Sequence, residues 1–511
     1  MRHLIKPTLL LTSFTIIGQV ISFIVNIISA KLFGASIEMD AYLAAQTLPT
    51  YVNTVLVGGL GFVFIPIFIE NKTKKDEKAA WDIASSTISL YTIILCVISV
   101  FGLVFSRQIL AIIVPGLPEN TISIAVNLSL ILWPTAIISG LLAILASLYQ
   151  ASERFIYHAL TTLIASTVYL LILTVGGGMY GIYILAIGTL LSSLLQVILL
   201  IKIIRQKYSF KINLTPEVLG LMKLQMPIIV AALFGQFSKI IDRFIASGML
   251  VGSISYLAYA DKIKALTAAI LGSGIAITIF PSIIRNLSEN NLFEFKRNIS
   301  FGLKITWLLL APAVCFGSFL SLPLVSILFE RSAFHHTDSI AVSSILPFYL
   351  ISVVGATLGN ISSRAIYALK KTNIIAATDI VGTILYAVYA PILGQHFGIV
   401  GIGISIMFLW NLGFMAHCIC LWFILKRPSI RSLTIYFMRV FIIAVVSSLI
   451  ISMLYKMKPD LGIAYFVAIS SLGLILYGIG LYMMKINEFI QLTKILKGKM
   501  FNRPLTNAVE E

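Results

Sequence analysis

The stretch from Tyr180 to Ile201 reads YGIYILAIGTLLSSLLQVILLI and contains no charged residue. A helix needs about 20 consecutive apolar residues to cross the hydrocarbon core of a bilayer. This stretch is long enough for such a crossing. It lacks the regularly spaced polar residues of a surface helix in a soluble protein. It decides the fold because runs of the same kind recur along the chain.

Fourteen such runs divide the sequence, and we number them as spans 1 to 14. They lie near residues 9–32, 43–69, 82–105, 122–149, 156–177, 180–204, 221–249, 253–284, 300–328, 340–368, 373–394, 398–425, 433–455 and 461–484. Apolar residues come in long blocks and do not alternate, which favours helices over β-strands. The sequence therefore predicts an all-α, polytopic membrane protein with about 14 transmembrane helices.

Composition and charge agree with this prediction. Of the 511 residues, 59% are hydrophobic and 11% are charged, whereas soluble domains carry about 25% charged residues. The net charge of +17 would point to nucleic acid in a soluble protein. Here we predict no nucleic-acid partner, because lysine and arginine collect on the cytoplasmic loops of membrane proteins.

The positive charges are concentrated on every second linker between spans. The alternate linkers hold only Lys31, Arg107, Arg331, Lys456 and Lys458. This bias places both termini in the cytoplasm and requires an even number of spans.

The first twelve spans form a repeat. Tyr42-Leu43-Ala44 recurs as Tyr256-Leu257-Ala258, and Tyr149 recurs as Tyr367, at offsets of 214 (256 − 42) and 218 (367 − 149). Two parallel six-helix bundles facing each other are typical of alternating-access transporters. The predicted domains are an N-terminal bundle (1–212), a C-terminal bundle (213–430), spans 13 and 14 (431–485) and an amphipathic cytoplasmic tail (486–511).

Several charges lie inside the predicted spans, where each costs about 2.5–3.5 kcal/mol at the bilayer centre and needs a partner or water. Spacings of three and four residues place the charges of span 7 on one helix face. With polar residues of spans 1 and 2, they predict a wet, cationic cleft that suits an anionic substrate. The candidate substrate-binding residues are Lys262, Asp261, Lys264, Lys239, Arg243, Asp242, Asp40, Asn53 and Gln19. Intrahelical ion pairs such as Lys239–Asp242 are the structural alternative.

Motifs for catalysis and cofactors are missing from the sequence. It contains no Walker A pattern, no HExxH and no GxSxG. His335 and His336 stand near Asp338 in an outer loop, and we interpret this pair as incidental. We therefore predict neither an enzyme nor a cofactor nor a metal site.

Specific segments resemble a known family. They are Asp242-Arg243-Phe244-Ile245-Ala246-Ser247, Tyr259-Ala260-Asp261-Lys262, Phe280-Pro281-Ser282, Asp40-Ala41-Tyr42, Leu328-Phe329-Glu330-Arg331 and Arg364-Ala365-Ile366-Tyr367-Ala368. In order and spacing, over nearly the whole chain, they resemble the MurJ/MviN family of the multidrug/oligosaccharidyl-lipid/polysaccharide exporter superfamily.

The resemblance implies a multi-pass protein of the bacterial inner membrane that flips lipid II, the undecaprenyl-diphosphate-linked peptidoglycan precursor, to the outer leaflet for cell-wall synthesis. It implies a headgroup cleft formed by spans 1, 2, 7 and 8, and a groove for the polyprenyl tail at spans 13 and 14. The partners it implies are a lipid-linked oligosaccharide and membrane lipid. Coupling to a cation or to the membrane potential stays open.

The chain also departs from the family pattern. Arginines that the peptidoglycan flippases place in spans 1 and 2 match Gln19, Val25 and Asn53 here, and the arginine after Ala-Asp in span 8 is Lys262. Lysine keeps the charge but lacks the bidentate fork that suits phosphate. The alternatives are a flippase for another polyprenyl-linked glycan, a cation-coupled drug exporter of the same superfamily, and a scaffold that transports nothing.

Overall fold

The computed structural model describes residues 2–152, 154–204, 208–271, 291–369, 371–425, 431–458 and 462–496. Within these ranges the chain forms 17 α-helices, and its β-structure is one isolated bridge between Arg331 and Phe334. The helices are α1 Arg2–Phe33, α2 Ile37–Leu56, α3 Leu60–Lys74, α4 Glu77–Val104, α5 Ser106–Ile113, α6 Glu119–Ala151, α7 Phe155–Gly176, α8 Tyr183–Leu200, α9 Pro216–Ser247, α10 Ser253–Leu271, α11 Leu292–Phe319, α12 Ser321–Phe329, α13 His336–Ala368, α14 Thr372–Ile424, α15 Arg431–Met457, α16 Gly462–Met483 and α17 Asn487–Leu496.

The helices confirm the all-α membrane fold. Among the described residues, 12 helical segments are long and apolar enough to cross a membrane. This number counts α14 once, although α14 covers spans 11 and 12 and is interrupted at Gly398 by a φ of 58°. It also omits α10, which carries three charged residues in its described part. Dividing α14 at Gly398 gives 13 segments (12 + 1), and span 8, the remaining span that the sequence predicts, lies partly outside the described residues.

Helix ends follow local sequence. The side chains of Ser36, Asp76 and Thr215 each accept a hydrogen bond from a backbone N–H in the first turn of α2, α4 and α9. Such caps satisfy N–H groups that have no partner inside the helix. The inner part of span 8, with the segment Phe280-Pro281-Ser282, lies outside the described residues, as does the tail beyond residue 496.

Span 2 is broken in two. Helix α2 ends at Leu56, α3 begins at Leu60, and Val57, Gly58 and Gly59 form a turn between them. An added Cβ at Gly58 would lie 2.5 Å from the Thr54 carbonyl oxygen, and one at Gly59 would lie 2.3 Å from Cγ2 of Ile228 in α9. Larger residues would therefore not fit at this break without rearrangement.

One compact unit consists of Met1–Lys262, Leu328–Val342 and Asp379–Ser405. Within it, α1 packs on α7, α6 packs on α2, α4 and α8, and α9 packs on α2 and α3. Its core includes the stacked rings of Phe64 and Phe68. The unit groups α9 with the first six spans, so its limits differ from the repeat boundary near residue 212. That boundary remains a prediction from the sequence.

The second compact unit consists of Ile263–Ile327, Ser343–Thr378 and Ile406–Glu511. In this unit α15 and α16 pack against each other and against α11. Trp307 of α11 stacks on Phe437 of α15 with ring centroids 5.4 Å apart, and the Tyr477 hydroxyl donates to the Leu308 carbonyl at 2.8 Å. Spans 13 and 14 are thus firmly attached to span 9.

The tail helix α17 is held by an ion pair. Lys304 Nζ lies 2.8 Å from Glu488 Oε1, with side-chain exposures of 24% and 12%, and 5.1 Å from the ring centroid of Tyr436. We predict that Glu488→Gln lowers the thermal unfolding midpoint of the purified protein by a few degrees, because a half-buried cation loses its counter-ion. Glu70→Gln is the control, since the Lys74–Glu70 pair is 74% and 56% exposed and such pairs contribute about 0–1 kcal/mol. Equal midpoints for the two variants would contradict the prediction.

Candidate functional site

Asp40 belongs to the first turn of α2, and its side chain contacts the N-terminus of α10. It is 3% exposed, and its carboxylate accepts hydrogen bonds from the Gly252 N–H at 2.7 Å, the Ser255 N–H at 2.8 Å and the Ser255 hydroxyl at 2.6 Å. A helix N-terminus carries unsatisfied N–H groups and partial positive charge, so a carboxylate is stabilised there. Asp40 therefore ties the start of α2 to the start of α10.

Further bonds join the same region. The Tyr259 hydroxyl donates to the Gly34 carbonyl at 2.8 Å, and the Ala333 N–H donates to the Lys31 carbonyl at 3.1 Å. The Tyr256 hydroxyl donates to Asp338 at 2.9 Å. We call residues 31–40, 252–259 and 329–338 the outer seal, because the predicted topology places all three at the outer ends of their helices.

Two glycines let the segments of the outer seal approach closely. Gly34 has a φ of 57°, and a Cβ there would lie 2.1 Å from the Ala333 carbonyl oxygen. Gly252 has a φ of 89°, and a Cβ there would lie 2.7 Å from the Ala35 carbonyl oxygen. Residues that carry a side chain rarely adopt such positive φ angles, so glycine is required at both positions.

Aromatic rings line the inner side of these contacts. The Tyr259 ring lies 5.1 Å from the ring of Phe329 and 5.2 Å from that of Phe334, and Phe23 of α1 reaches Phe329 at 6.2 Å. These centroid distances are typical of packed aromatic pairs. The outer seal is thus both hydrogen-bonded and apolar.

The cations of α9 and α10 form a second group. Lys239 and Lys262 are exposed, and the charge of Lys262 interacts with those of Asp261, Lys239 and Arg243. Arg243 is partly buried and donates to the Ile254 carbonyl at 2.8 Å, which joins α9 to α10. The structure therefore brings four of the predicted residues of spans 7 and 8 into one positively charged group, namely Lys239, Arg243, Asp261 and Lys262.

Asp242 has a different surrounding. The Tyr386 hydroxyl of α14 donates to its carboxylate, and one turn earlier the Thr383 hydroxyl donates to the Phe234 carbonyl at 3.0 Å. These bonds fix α14 against α9. Asp242 is one residue from Arg243 in sequence but engages a neighbouring helix.

Lys264 lies close to two aromatic rings. Its Nζ lies 5.2 Å from the ring centroid of Trp410 and 5.6 Å from that of Tyr349. Cation–π contacts of this kind contribute about 0.5–2 kcal/mol, depending on how far the cation is removed from water.

The substrate role of Lys264 remains a prediction from the sequence, and its cation–π contacts indicate a role in stability. We predict that Lys264→Met lowers the thermal midpoint and leaves the apparent substrate affinity within about twofold, because the loss is of a cation–π contact. Thermal unfolding and a transport assay on the same preparation check this. A tenfold loss of substrate affinity with an unchanged midpoint would contradict it, and would place Lys264 in the substrate site.

The predicted residues of spans 1 and 2 are placed separately. Gln19 is exposed on α1. The Asn53 side-chain oxygen is buried and has no hydrogen-bond partner among the described residues, and Gly140 of α6 lies beside it. Asn53 therefore directs its oxygen toward α6. The substrate roles of Gln19, Asn53 and Asp40 remain predictions from the sequence.

Sequence reasoning missed some residues. Ser255, Tyr259 and Ala333 complete the outer seal, yet their partners lie far away in the chain. Asp379 is a partly buried carboxylate within span 11, and the length of the surrounding apolar run hid it. A charge count within each run would have found Asp379, whereas no local pattern reveals the outer seal.

A cavity of 1310 Å³ opens beside the outer seal, between the outer end of α9 and the residues around Gly398. Its lining includes Phe244, Tyr256, Gln395 and Phe397 and contains no charged residue. It therefore lacks the cations that form the strongest hydrogen bonds to phosphate oxygens. Among the described residues, no group of three or more metal-ligating side chains occurs.

Comparison with known proteins decides the family. A family model described as "Lipid II flippase MurJ" matches residues 29–473. The chain belongs to the lipid II flippase MurJ family. Members of this family are transporters of the bacterial inner membrane, and the 12 membrane-crossing helical segments among the described residues fit a multi-pass protein of that membrane.

Curated relatives share about a quarter of their residues with this chain. The probable lipid II flippase MurJ of Buchnera aphidicola (subsp. Acyrthosiphon pisum, strain APS) is 25% identical over 418 residues, covering 79% of this chain and 81% of that protein. The lipid II flippase MurJ of Burkholderia cenocepacia (strain J2315) is 23% identical over 427 residues, covering 78% and 81%.

Solved structures share the fold. A lipid II flippase MurJ in an inward closed conformation superposes with a TM-score of 0.78 and 22% identity, over 96% of this chain and 99% of the other. An inward-facing multidrug MATE transporter of the MOP superfamily gives 0.68 and 16% identity, over 80% and 96%. The MurJ match extends over more of this chain than the MATE match does.

Proposed function

We propose that this chain flips lipid II from the inner to the outer leaflet of the bacterial inner membrane by alternating access. The observation that carries the proposal is the exposed cationic group of Lys239 and Lys262, with Arg243 beside it, in a chain of the lipid II flippase family. Lipid II presents a diphosphate, and ammonium and guanidinium groups bind phosphate oxygens through charge-assisted hydrogen bonds.

The outer seal closes the outer side of the protein in the described conformation. Asp40, Tyr259 and Ala333 hold the outer ends of α1, α2 and α10 together. A headgroup bound at the cations would then enter from the inner side and leave after the outer seal opens. This sequence of events requires two conformations, of which the bonds of the outer seal stabilise one.

The membrane potential supplies a driving force. Moving one charge through 100 mV is worth about 2.3 kcal/mol, and an inside-negative potential expels anions. A headgroup with about two uncompensated negative charges would gain about 4–5 kcal/mol by the same rule. Coupling to a cation is a further prediction, and a transport assay with and without a sodium or proton gradient tests it.

The polyprenyl tail is proposed to stay in lipid along α15 and α16. Both helices present large exposed apolar side chains, among them Phe441, Ile450 and Met453 on α15 and Ile475 and Tyr482 on α16. They pack on α11 through their buried faces. An apolar outer surface of this kind suits a long hydrocarbon chain.

The family match supports lipid II flipping over three alternatives. A flippase for another polyprenyl-linked glycan would use the same diphosphate and cations. A drug exporter would be expected to carry acidic residues where Lys239 and Lys262 stand. A scaffold that transports nothing would have no reason to hold these charges within membrane spans.

Replacing the native lipid II flippase of a bacterium with this chain tests the proposal. The native lipid II flippase is depleted, this chain is expressed in its place, and growth and lipid II at the outer leaflet are scored. We expect rescue by the unchanged chain and its loss with Lys262→Ala. If the folded chain does not restore growth, lipid II is rejected as the substrate and another polyprenyl-linked glycan is favoured. If Lys262→Ala restores growth as well as the unchanged chain does, the scaffold is favoured.

A further inference from the structure

Gln225 of α9 occupies an unusual position at the break of span 2. It is 1% exposed, and its side-chain N–H donates to the Leu56 carbonyl at 2.7 Å. Its side-chain oxygen accepts from the Tyr91 hydroxyl of α4, which is itself 4% exposed. One buried amide thus bonds to two other helices.

The Leu56 carbonyl needs this donor because the helix ends there. In a continuous helix it would accept from the N–H of Leu60, but that N–H bonds to the Val57 carbonyl at 3.0 Å. A free carbonyl within the membrane costs several kcal/mol unless another group satisfies it. Gln225 supplies the group that the broken helix lacks.

Helix α9 has a weak point at the same level. Pro227 lies inside α9, two residues after Gln225. Proline has no N–H, so the Lys223 carbonyl loses its usual intrahelical donor and the helix can bend there. Two deformable points, the turn at Val57–Gly59 and Pro227, are therefore joined through one side chain.

Other contacts hold α9 along the same two helices. The Tyr51 hydroxyl donates to the Leu233 carbonyl at 2.9 Å, and Lys75 pairs with Glu217 at 2.6 Å near the cytoplasmic end. These two contacts are partly exposed, so water can replace them. The bonds of Gln225 are buried, so their loss leaves unpaired polar groups.

We propose that Gln225, Tyr91 and the Leu56 carbonyl form a latch that holds span 2 and α9 in the described conformation and must open during transport. Gln225 is a positioning residue and does not touch the substrate. The latch rests on the proposed function only in that alternating access requires these helices to separate. Its release frees the turn at Val57–Gly59 and the bend at Pro227 together.

The distance between spin labels on α3 and α9 tests the latch without substrate. The labels are placed at Lys72→Cys and Leu219→Cys, two exposed positions, in a chain whose 4 native cysteines are replaced. We expect one narrow distance population in the unchanged chain. Gln225→Leu should raise the share of a longer distance by roughly tenfold, because buried hydrogen bonds are lost.

Tyr91→Phe serves as the milder variant, because it keeps the ring and removes one bond. We expect a smaller shift in the same direction. Tyr157→Phe is the control: it removes a hydroxyl that donates to the Leu199 carbonyl at 3.0 Å, between α7 and α8, helices that do not belong to the latch.

Each outcome decides something. A lower thermal midpoint with unchanged distances in Gln225→Leu would overturn the latch and leave Gln225 a packing residue. Changed distances in a protein that moves no lipid II would support the latch and reject the proposed substrate. Changed distances of the same size in Tyr157→Phe would also overturn the latch.

Discussion

Asp40→Asn is expected to abolish rescue in the replacement experiment and to open the outer seal. The carboxylate accepts three hydrogen bonds at 2.6–2.8 Å and is 3% exposed. Hydrogen bonds to charged groups contribute about 1.5–3 kcal/mol each. Asparagine removes the charge at the N-terminus of α10 and turns an NH₂ group toward N–H donors.

We expect the sealed conformation to lose about 3 kcal/mol, which corresponds to a population change of roughly a hundredfold. Labelling of an introduced cysteine below the outer seal, at Gln19→Cys, by a membrane-impermeant maleimide added from outside measures this. The rate of labelling should rise strongly in Asp40→Asn and stay low in the parent.

Glu38→Gln is the matched control. Glu38 lies in the same first turn of α2, but it is exposed, so its neutralisation should change neither labelling nor rescue. If Asp40→Asn supports growth with an unchanged labelling rate, the carboxylate does not hold the outer seal.

Lys262→Ala should reduce the affinity for lipid II by about 10- to 100-fold, the value of one charge-assisted hydrogen bond of 1.5–3 kcal/mol. Its thermal midpoint should stay close to that of the unchanged chain, because Lys262 is exposed. Binding of lipid II to the purified protein in detergent gives the affinity, and the same preparation gives the midpoint.

Lys262→Arg separates charge from shape. Arginine keeps the cation and adds a fork that binds phosphate through two bonds, so we expect affinity equal to or tighter than that of lysine. Lys202→Ala is the control, because Lys202 is an exposed cation outside the cationic group. Equal losses in Lys202→Ala and Lys262→Ala would mean that only the overall charge matters.

The membrane fold could be predicted from the sequence because apolar length is a local property. Each span appears as a run of about 20 apolar residues. The structure is helical over these runs where it is described, apart from short breaks such as Val57–Gly59 in span 2 and Leu320 in span 9. The break at Gly58 and Gly59 could also have been suspected, because adjacent glycines favour turns. What the sequence could not supply is the partner of the broken helix, Gln225, which lies 169 residues beyond Leu56.

The site was predictable in part for the same reason. Charges inside apolar runs are visible, so Lys239 and Lys262 could be found. Their neighbours are not visible, because Asp40 bonds to residues 212 and 215 positions away and Lys264 faces rings of Tyr349 and Trp410. Whether a charge serves transport or packing depends on those distant contacts.

Transfer of lipid II across the membrane of liposomes that contain this protein alone tests most directly whether the chain flips lipid II. Labelled lipid II is placed in both leaflets, an impermeant reagent consumes what reaches the outer surface, and an inside-negative potential is imposed. We predict transfer well above that of protein-free liposomes, faster with the potential and lost with Lys262→Ala. Transfer equal to that of protein-free liposomes, with the protein folded and inserted, would contradict lipid II flipping by this chain.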